Sequence, residues 1–377
     1  MDTPTEVARE ARFPKWAAAL TDQDAFQQEQ ARLGRIWTLL GLTLDVANDG
    51  DWFTAELGGR SVFVQRFGEK LKGYENRCAH RFYPLRTEKN GNGPIKCGFH
   101  GWTYNQEGHA VGIPRCKELF GVSPREMSAK IAPIEVATCG SLVFGRFQNP
   151  HTDETLEQFL GEAAPIVEAM CTLKRRPRTI SLTVEANWKL SYQISLDDYH
   201  SAAVHPTTFG KGGYLPRKAL RYFRFGSHNA FFLGADENAL QDMVEAVKQG
   251  TYRPMRYRIF QIFPNLLISL FHAQHYWYVN VQQYVPVAPG RSFMRSWYYR
   301  APFETGQGPL ARLWDAMSEP GRAHIVEYYI RQVNSEDNGV VERLQEFASQ
   351  QGGWPRIGYA EERIKWFEEA YARAMTD

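Results

Sequence analysis

Two short segments carry four metal-ligand side chains in matched pairs. Cys78 and His80 sit in "CAHRF", and Cys97 and His100 in "CGFHGW", with the two cysteines 19 positions apart. Thiolates and imidazoles suit a closed tetrahedral zinc site, which needs only four such groups. They also suit a two-iron cluster with two cysteines on one iron and two histidines on the other, an arrangement that raises its potential. Each loop here offers one ligand of each kind. Glycines flank His100, so backbone N–H groups can approach closely, as bridging sulfides require. Spacing alone leaves zinc and the cluster both open.

A second set lies in "NWKLSYQISLDDYHSAAVHP", where Asp197 and Asp198 precede His200 and His205. Two histidines and one carboxylate on one face are the usual ligands of oxygen-activating non-haem iron(II), with open positions left over. Residues five apart lie roughly 140° apart on an ideal helix. The helix must therefore end or bulge between the histidines, and Pro206 favours an end. Asp197 and His200, three apart, would share a face.

The elements that position these residues can be read from texture. Residues 6–41 carry an apolar residue every three or four positions and read as mostly helical. From about residue 44 the chain turns β-rich: "DWFTAEL-GG-RSVFVQRF" is a hairpin signal, and the β character runs to about 148. "NPHTDET" then reads as a connector into "LEQFLGEAAPIVEAMCTL". The run "TISLTVEANW" reads as a strand, and "KLSYQISLDDYHSAAVH" as a helix. Residues 255–300 read as several antiparallel strands, and the region after 309 is charged and helix-periodic. The expected fold is α+β, with a small all-β domain set before a larger α+β domain whose antiparallel sheet is covered by helices. The expected divisions are an N-terminal helical segment (1–43) packing with the larger domain, the β domain (44–149) and the larger domain (150–377).

Composition excludes several classes. Of 377 residues, 44 are basic and 42 acidic, a net charge of +2 that gives no footprint for nucleic acid. The run "KRRPR" at 174–178 reads as a solvated loop. The N-terminus lacks an apolar core of the secretory kind, and "IFPNLLISLF" is far shorter than the ~20 residues of a membrane span. Five cysteines make a poor disulfide framework; Cys116, Cys139 and Cys171 read as buried thiols. A cytoplasmic protein is expected. No G-x-G-x-x-G stands in a strand–helix context, so a dinucleotide is not expected to bind this chain.

The pattern Cys-x-His, 16 residues, Cys-x-x-His resembles the Rieske signature, and "HRF…CGFHGW" resembles Rieske non-haem iron oxygenases in particular. The second segment is similar to their catalytic ligand run, an Asn-Trp-Lys opening before Asp-x-x-His-x-x-x-x-His. Asn187, Trp188 and Lys189 fit it, followed by Asp197, His200 and His205. The family's third ligand is a downstream aspartate in an Asp-x-x-x-x-Glu context. "EDNGVVE" supplies Asp337 before Glu342, with Glu336 as the fallback. The resemblance implies a Rieske [2Fe-2S] cluster on Cys78, His80, Cys97 and His100, and a mononuclear Fe(II) on His200, His205 and Asp337. It implies that Asp197 links a cluster histidine of one subunit to an iron histidine of its neighbour, in a homotrimer, with Asp198 the competing choice. O2 would be the co-substrate, and NAD(P)H would act only through a separate reductase, with or without a ferredoxin. A small aromatic or apolar molecule would be hydroxylated, dihydroxylated or oxidatively demethylated. Phe263, Leu267, Phe271 and Trp277 are candidate pocket residues. Ile194 stands where many members have asparagine, which makes the pocket more apolar. The alternatives are a Rieske electron-transfer protein with a non-catalytic second domain, and a zinc-stabilised binding module.

Overall fold

A computed structural model of the protein describes residues 18–150, 152–303, 309–348 and 356–376. The chain divides into two compact units: Gln30–Phe159 with Cys171–Arg176, and the rest. The β unit is thus wider at both ends than the expected 44–149. The expected N-terminal helix lies partly outside the described residues. Within them it runs only over Gln23–Leu33, and Thr38–Leu42 is a strand instead. That strand pairs with Leu142–Arg146, and four of its five residues are buried. Burial against the sheet overrides the helical spacing there.

The β unit holds a seven-stranded antiparallel sheet and a three-stranded one. The expected hairpin is Asp51–Leu57 with Arg60–Phe67, turned at Gly58 and Gly59. Their φ values of +55° and +72° are left-handed, which a two-residue hairpin turn requires and glycine supplies without strain. Phe63, Tyr74, Ile95, Trp102, Tyr104 and Ile131 form one core with Cys78 and Cys97. Cys116 and Cys171 are buried as expected, whereas Cys139 is only half-buried at the end of its strand; none is in a disulfide.

The other unit is built on a second seven-stranded antiparallel sheet. Its order is Arg178–Val184, Arg291–Arg300, Tyr276–Ala288, Leu266–Ala273, Arg258–Ile262, His228–Leu233 and Leu220–Phe225. The last hairpin is not anticipated above, although Gly226–Ser227 between β-rich runs is its signal. Helices Trp188–Gln193, Pro309–Glu346 and Glu362–Thr376 pack with this sheet.

The Asn-Trp-Lys opening anchors this unit. Asn187 caps its helix by accepting from the Lys189 N–H (3.0 Å), and its amide donates to the Ala19 and Pro289 carbonyls. Trp188 Nε1 donates to Glu29 (2.8 Å), and the wholly buried Lys189 ammonium pairs with the same carboxylate, as does the Tyr371 hydroxyl. Glu368 stands nearby, bonded by Gln193, and burial pushes its carboxyl up to about 8 despite the attraction of Lys189. A carboxyl raised in the folded state stabilises fully only below its ordinary 4.5, and that contribution is lost as pH climbs toward about 8. Glu368→Gln should therefore flatten the fall in melting temperature between pH 5 and pH 8. An unchanged pH slope in the variant would remove Glu368 from this account.

Asp198 and Asp197 part company. Asp198 Oδ2 accepts from Arg363 (2.8 Å) and from the Tyr222 hydroxyl (2.9 Å). It ties the C-terminal helix to the sheet rather than lying on the surface.

Candidate metal centres

The two cysteine–histidine loops repeat one backbone pattern. Cys78 N–H donates to the Tyr83 carbonyl and Phe82 N–H to that of Cys78; Cys97 N–H donates to Trp102 and Gly101 N–H to Cys97. Phe82 (φ +60°) and Gly101 (φ +72°) occupy matching left-handed positions. The loops place both cysteines in the core and both imidazoles toward solvent. His80 Nδ1 and His100 Nδ1 lie 3.2 Å apart, and the His80 ring stacks on Trp102. Two nitrogens 3.2 Å apart beside two buried thiols fit a two-iron cluster that would be held by two thiolates and two imidazoles.

The second set is assembled from a broken helix. The segment expected as one helix is three pieces: Trp188–Gln193, a 3-10 turn to Leu196, and Ser201–Val204. The break falls at Asp197, which is extended, so Asp197 and His200 do not share a helix face. They meet because Asp197 Oδ1 accepts the N–H groups of Tyr199 (2.7 Å) and His200 (3.1 Å), leaving Oδ2 3.6 Å from His200 Nδ1. Short polar side chains favour such turns over helix interiors. His205 ends the second piece. Gly210 then passes so close that a Cβ would stand 2.2 Å from the Ser201 carbonyl and 2.7 Å from that of His205.

His200, His205 and Asp337 each turn a ligand atom toward the others, all within 4.8 Å. Asp337 Oδ1 lies 3.0 Å from His205 Nε2 and 3.4 Å from His200 Nε2, and those nitrogens are 3.2 Å apart. Glu336, the fallback ligand, faces the other way. His205 Nδ1 donates to it at 2.7 Å, and Gln332, Thr207 and Thr208 also bond it. That fixes the His205 proton on Nδ1 and aims the Nε2 lone pair at the common point. Among the described residues, the buried Asp337 Oδ1 has no hydrogen-bond partner. Burial disfavours charged imidazoles, yet Asp197 and Asp337 raise His200 to about 9, and Asp337 and Glu336 raise His205. The two imidazoles hold Asp337 below the usual carboxylate range despite its burial. The site draws in positive charge, and its donor set fits a divalent iron.

A cavity of about 950 Å³ opens onto this group. Leu267, Phe271, Trp277 and Ile194 line it as expected. Phe263 does not; it is core, packed on Phe367, and its N–H donates to His228. Residues not anticipated above also line the cavity, notably Ser269, Asn280, Gln282 and Asn334.

The family model described as ring hydroxylating alpha subunit (catalytic domain) matches residues 172–377, and that of the Rieske [2Fe-2S] domain matches 36–129. The chain belongs to the ring hydroxylating alpha subunits, with a Rieske domain ahead of the catalytic one. The cofactors of such a chain are the Rieske cluster and a mononuclear iron. Among curated relatives, the terephthalate 1,2-dioxygenase terminal oxygenase component subunit alpha 2 of Comamonas sp is 28% identical over 246 residues, 59% of this chain and 56% of that one. The carnitine monooxygenase oxygenase subunit of Escherichia coli (strain K12) is 27% identical over 192 residues, 49% and 50% of the two chains. The chain spans about half the length of the curated relatives it matches. Among solved structures, a quaternary ammonium Rieske monooxygenase aligns with TM-score 0.72 at 16% identity, covering 97% of this chain and all of that one. Naphthalene 1,2-dioxygenase from Rhodococcus sp. aligns with TM-score 0.71 at 21% identity, covering 95% and 93%. At those identities the likeness is one of fold. No helix among the described residues is long and apolar enough to cross a membrane.

Tyr104 adds a control on the cluster side. Its buried hydroxyl stands 3.0 Å from Cys78 Sγ and accepts the Ala79 N–H at 3.1 Å. Reduction adds negative charge, so a hydroxyl donating to a thiolate favours the reduced form. With a cluster bound, Tyr104→Phe should lower the reduction potential by on the order of tens of millivolts, since ~1 kcal/mol is about 43 mV for one electron. Redox titration of the two proteins checks this, and an unchanged potential would remove Tyr104 from the account.

Proposed function

We propose that the protein is the terminal oxygenase component of a Rieske-type mono- or dioxygenase acting on a small aromatic or otherwise apolar molecule. The observation that carries this reading is the convergence of His200, His205 and Asp337 under a cavity of about 950 Å³, in a chain whose other unit holds the Rieske loops. Cys78, Cys97, His80 and His100 hold the cluster; His200, His205 and Asp337 hold the iron. Bound there, the cluster supplies single electrons and the iron binds and activates O2. The chain's own residues do the rest. Glu336 holds the His205 proton on Nδ1, Asp197 orients His200, and the cavity walls exclude water and position the substrate.

Electrons come from a separate reductase, with or without a ferredoxin. The protein works in the cytoplasm as a homotrimer, with Asp197 bridging His200 to a cluster histidine of the neighbouring copy. Two exposed aromatic groups support that assembly. Phe82 (65% exposed) and Phe99 (50%) surround the cluster loops, and the stacked Tyr199 and Tyr214 (59% and 62%) stand beside Asp197. Surfaces of this kind are typical of interaction sites.

Iron and acid-labile sulfide analysis tests the reading. The oxygenase requires about three irons and two sulfides per chain. Two irons would leave an electron-transfer protein, and zinc without sulfide would leave a binding module.

A further inference from the structure

The cavity beside the His200–His205–Asp337 group is not uniformly apolar. Alternation along two neighbouring strands puts Leu267, Ser269 and Phe271 on the cavity side of one, and Asn280, Gln282 and Tyr284 on that of the next. Ser269 pairs directly with Asn280, and Leu267 with Gln282. The long helix faces them with Asn334, three residues before Asp337 and so about one turn, ~4.5 Å, along the same face. Ser269, Asn280, Gln282 and Asn334 are all at least nine-tenths buried.

The three amides form a directed relay. Ser296 Oγ donates to Asn280 Oδ1 (2.5 Å), and Asn280 Nδ2 to Gln282 Oε1 (2.9 Å). Gln282 Nε2 donates to Asn334 Oδ1 (2.8 Å) and to Met294 Sδ (3.0 Å), and Asn334 Nδ2 to the Ile330 carbonyl (2.7 Å). Gln282 has used both amide hydrogens. Asn280 and Asn334 have each used one of two. The Ser269 hydroxyl lines the cavity with no hydrogen bond to another described residue. Three donors are therefore left on one wall. A buried donor without a partner costs on the order of 1–3 kcal/mol, so the wall favours a ligand that brings an acceptor.

The charge of that ligand follows from the other walls. The acids Asp197, Asp198 and Asp337 line the cavity, and among the described residues the single lysine or arginine lining it is Arg256, which is exposed and bonded to the Gly234 carbonyl. An anionic group against the amide wall would face the Asp197, Asp198 and Asp337 carboxylates with no lysine or arginine of the described lining beside it, so charge gives it no advantage there over a neutral acceptor.

Resting on the oxygenase reading, we infer that the substrate is an uncharged ring compound bearing a hydrogen-bond acceptor (a carbonyl, an amide or a ring nitrogen) that docks on Asn280, Asn334 and Ser269. The acceptor then sits about one helical turn from the metal ligands, and the ring lies among Phe271, Trp277 and Ile194.

Equilibrium binding to the purified metal-loaded protein tests this with two matched pairs. Acetophenone and isopropylbenzene share a shape and differ in the acceptor; benzamide and benzoate share a shape and differ in charge. Acetophenone is expected to bind about tenfold more tightly than isopropylbenzene, and benzamide about tenfold more tightly than benzoate. In Ser269→Ala and Asn334→Leu the acetophenone preference should fall at least fivefold, while retained isopropylbenzene binding reports an intact pocket. If Asn334→Leu binds neither compound, Ser269→Ala decides. Equal or tighter binding of isopropylbenzene or benzoate by the unmodified protein overturns the inference, as does an unchanged preference in Ser269→Ala. Three irons per chain with that outcome would leave the oxygenase reading intact. A missing third iron with the acetophenone preference preserved would overturn the oxygenase reading and keep the polar wall.

Discussion

Replacing His205 by alanine is expected to give a protein that keeps its cluster spectrum and about two irons per chain but takes up no oxygen with substrate and reductant. His205 is fully buried, and its two nitrogens serve different carboxylates, Nδ1 facing Glu336 and Nε2 facing Asp337. The substitution removes one of the three proposed ligand atoms and leaves Asp337 with a single imidazole against its charge. Glu336→Gln is the calibrating companion. It keeps His200, His205 and Asp337 and disturbs only the group that orients His205, a change that typically costs about 10–100-fold in metal affinity or activity. The alanine variant should fall well below that range. Metal analysis, visible spectra and oxygen uptake on both variants check the ordering. A third iron and sustained turnover in His205→Ala would place the oxygen chemistry elsewhere.

The largest expected effect on stability lies away from both centres. Glu29→Ala strips the wholly buried Lys189 ammonium of its paired carboxylate, and leaves Trp188 Nε1 and the Tyr371 hydroxyl without their acceptor. Burial already pushes the Lys189 pKa down, with Glu29 the chief opposing influence. Removing one partner of such a pair costs about 3–5 kcal/mol, a large share of the roughly 5–15 kcal/mol that holds a typical protein folded. The double replacement Glu29→Met with Lys189→Met should recover the part of the loss due to the lone ammonium, while Trp188 Nε1 and the Tyr371 hydroxyl stay without their acceptor. Denaturant unfolding compares the three proteins. A single-variant loss under about 1 kcal/mol would show that water or Glu368 compensates the ammonium.

That anchor bears on how the sequence is read. Asn187, Trp188 and Lys189 stand just before the proposed iron ligands, which invites a chemical role for them. Their contacts are structural: a helix cap, an indole bond and a buried ion pair that bring residue 29 and residue 371 onto the start of the ligand segment. Glu29 and Tyr371 lie 158 or more positions away from that motif. Local pattern does not reveal contacts at such separations.

The choice between neighbouring acids shows the same limit. Sequence names Asp337 and Glu336 together, and Asp197 and Asp198 together. Successive helix residues point about 100° apart, so one of the first pair must face the histidines and the other must turn away. Which does so depends on how the long helix is rotated against the sheet and the 200–205 turn. In the folded chain Asp337 faces the two Nε2 atoms, and Glu336 reaches round to His205 Nδ1. Asp198 is drawn off by Arg363, 165 residues later, which leaves Asp197 beside His200.

The sequence by itself determined the kinds of ligand and their local loops. Both cysteine–histidine turns close through hydrogen bonds spanning four or five residues, so short spacing carries their geometry. It also indicated a helix end beside Pro206, and the turn Ser201–Val204 does stop at His205, although it runs unbroken between the two histidines that cap it. Only the tertiary structure decided where that helix breaks, which carboxylate joins the histidines, and that the cavity has an amide wall. That wall depends on strand register, which sets Ser269 against Asn280, and on a helix more than 50 residues away that supplies Asn334. Register and helix rotation are set by burial over the whole unit, and no short window of sequence contains them.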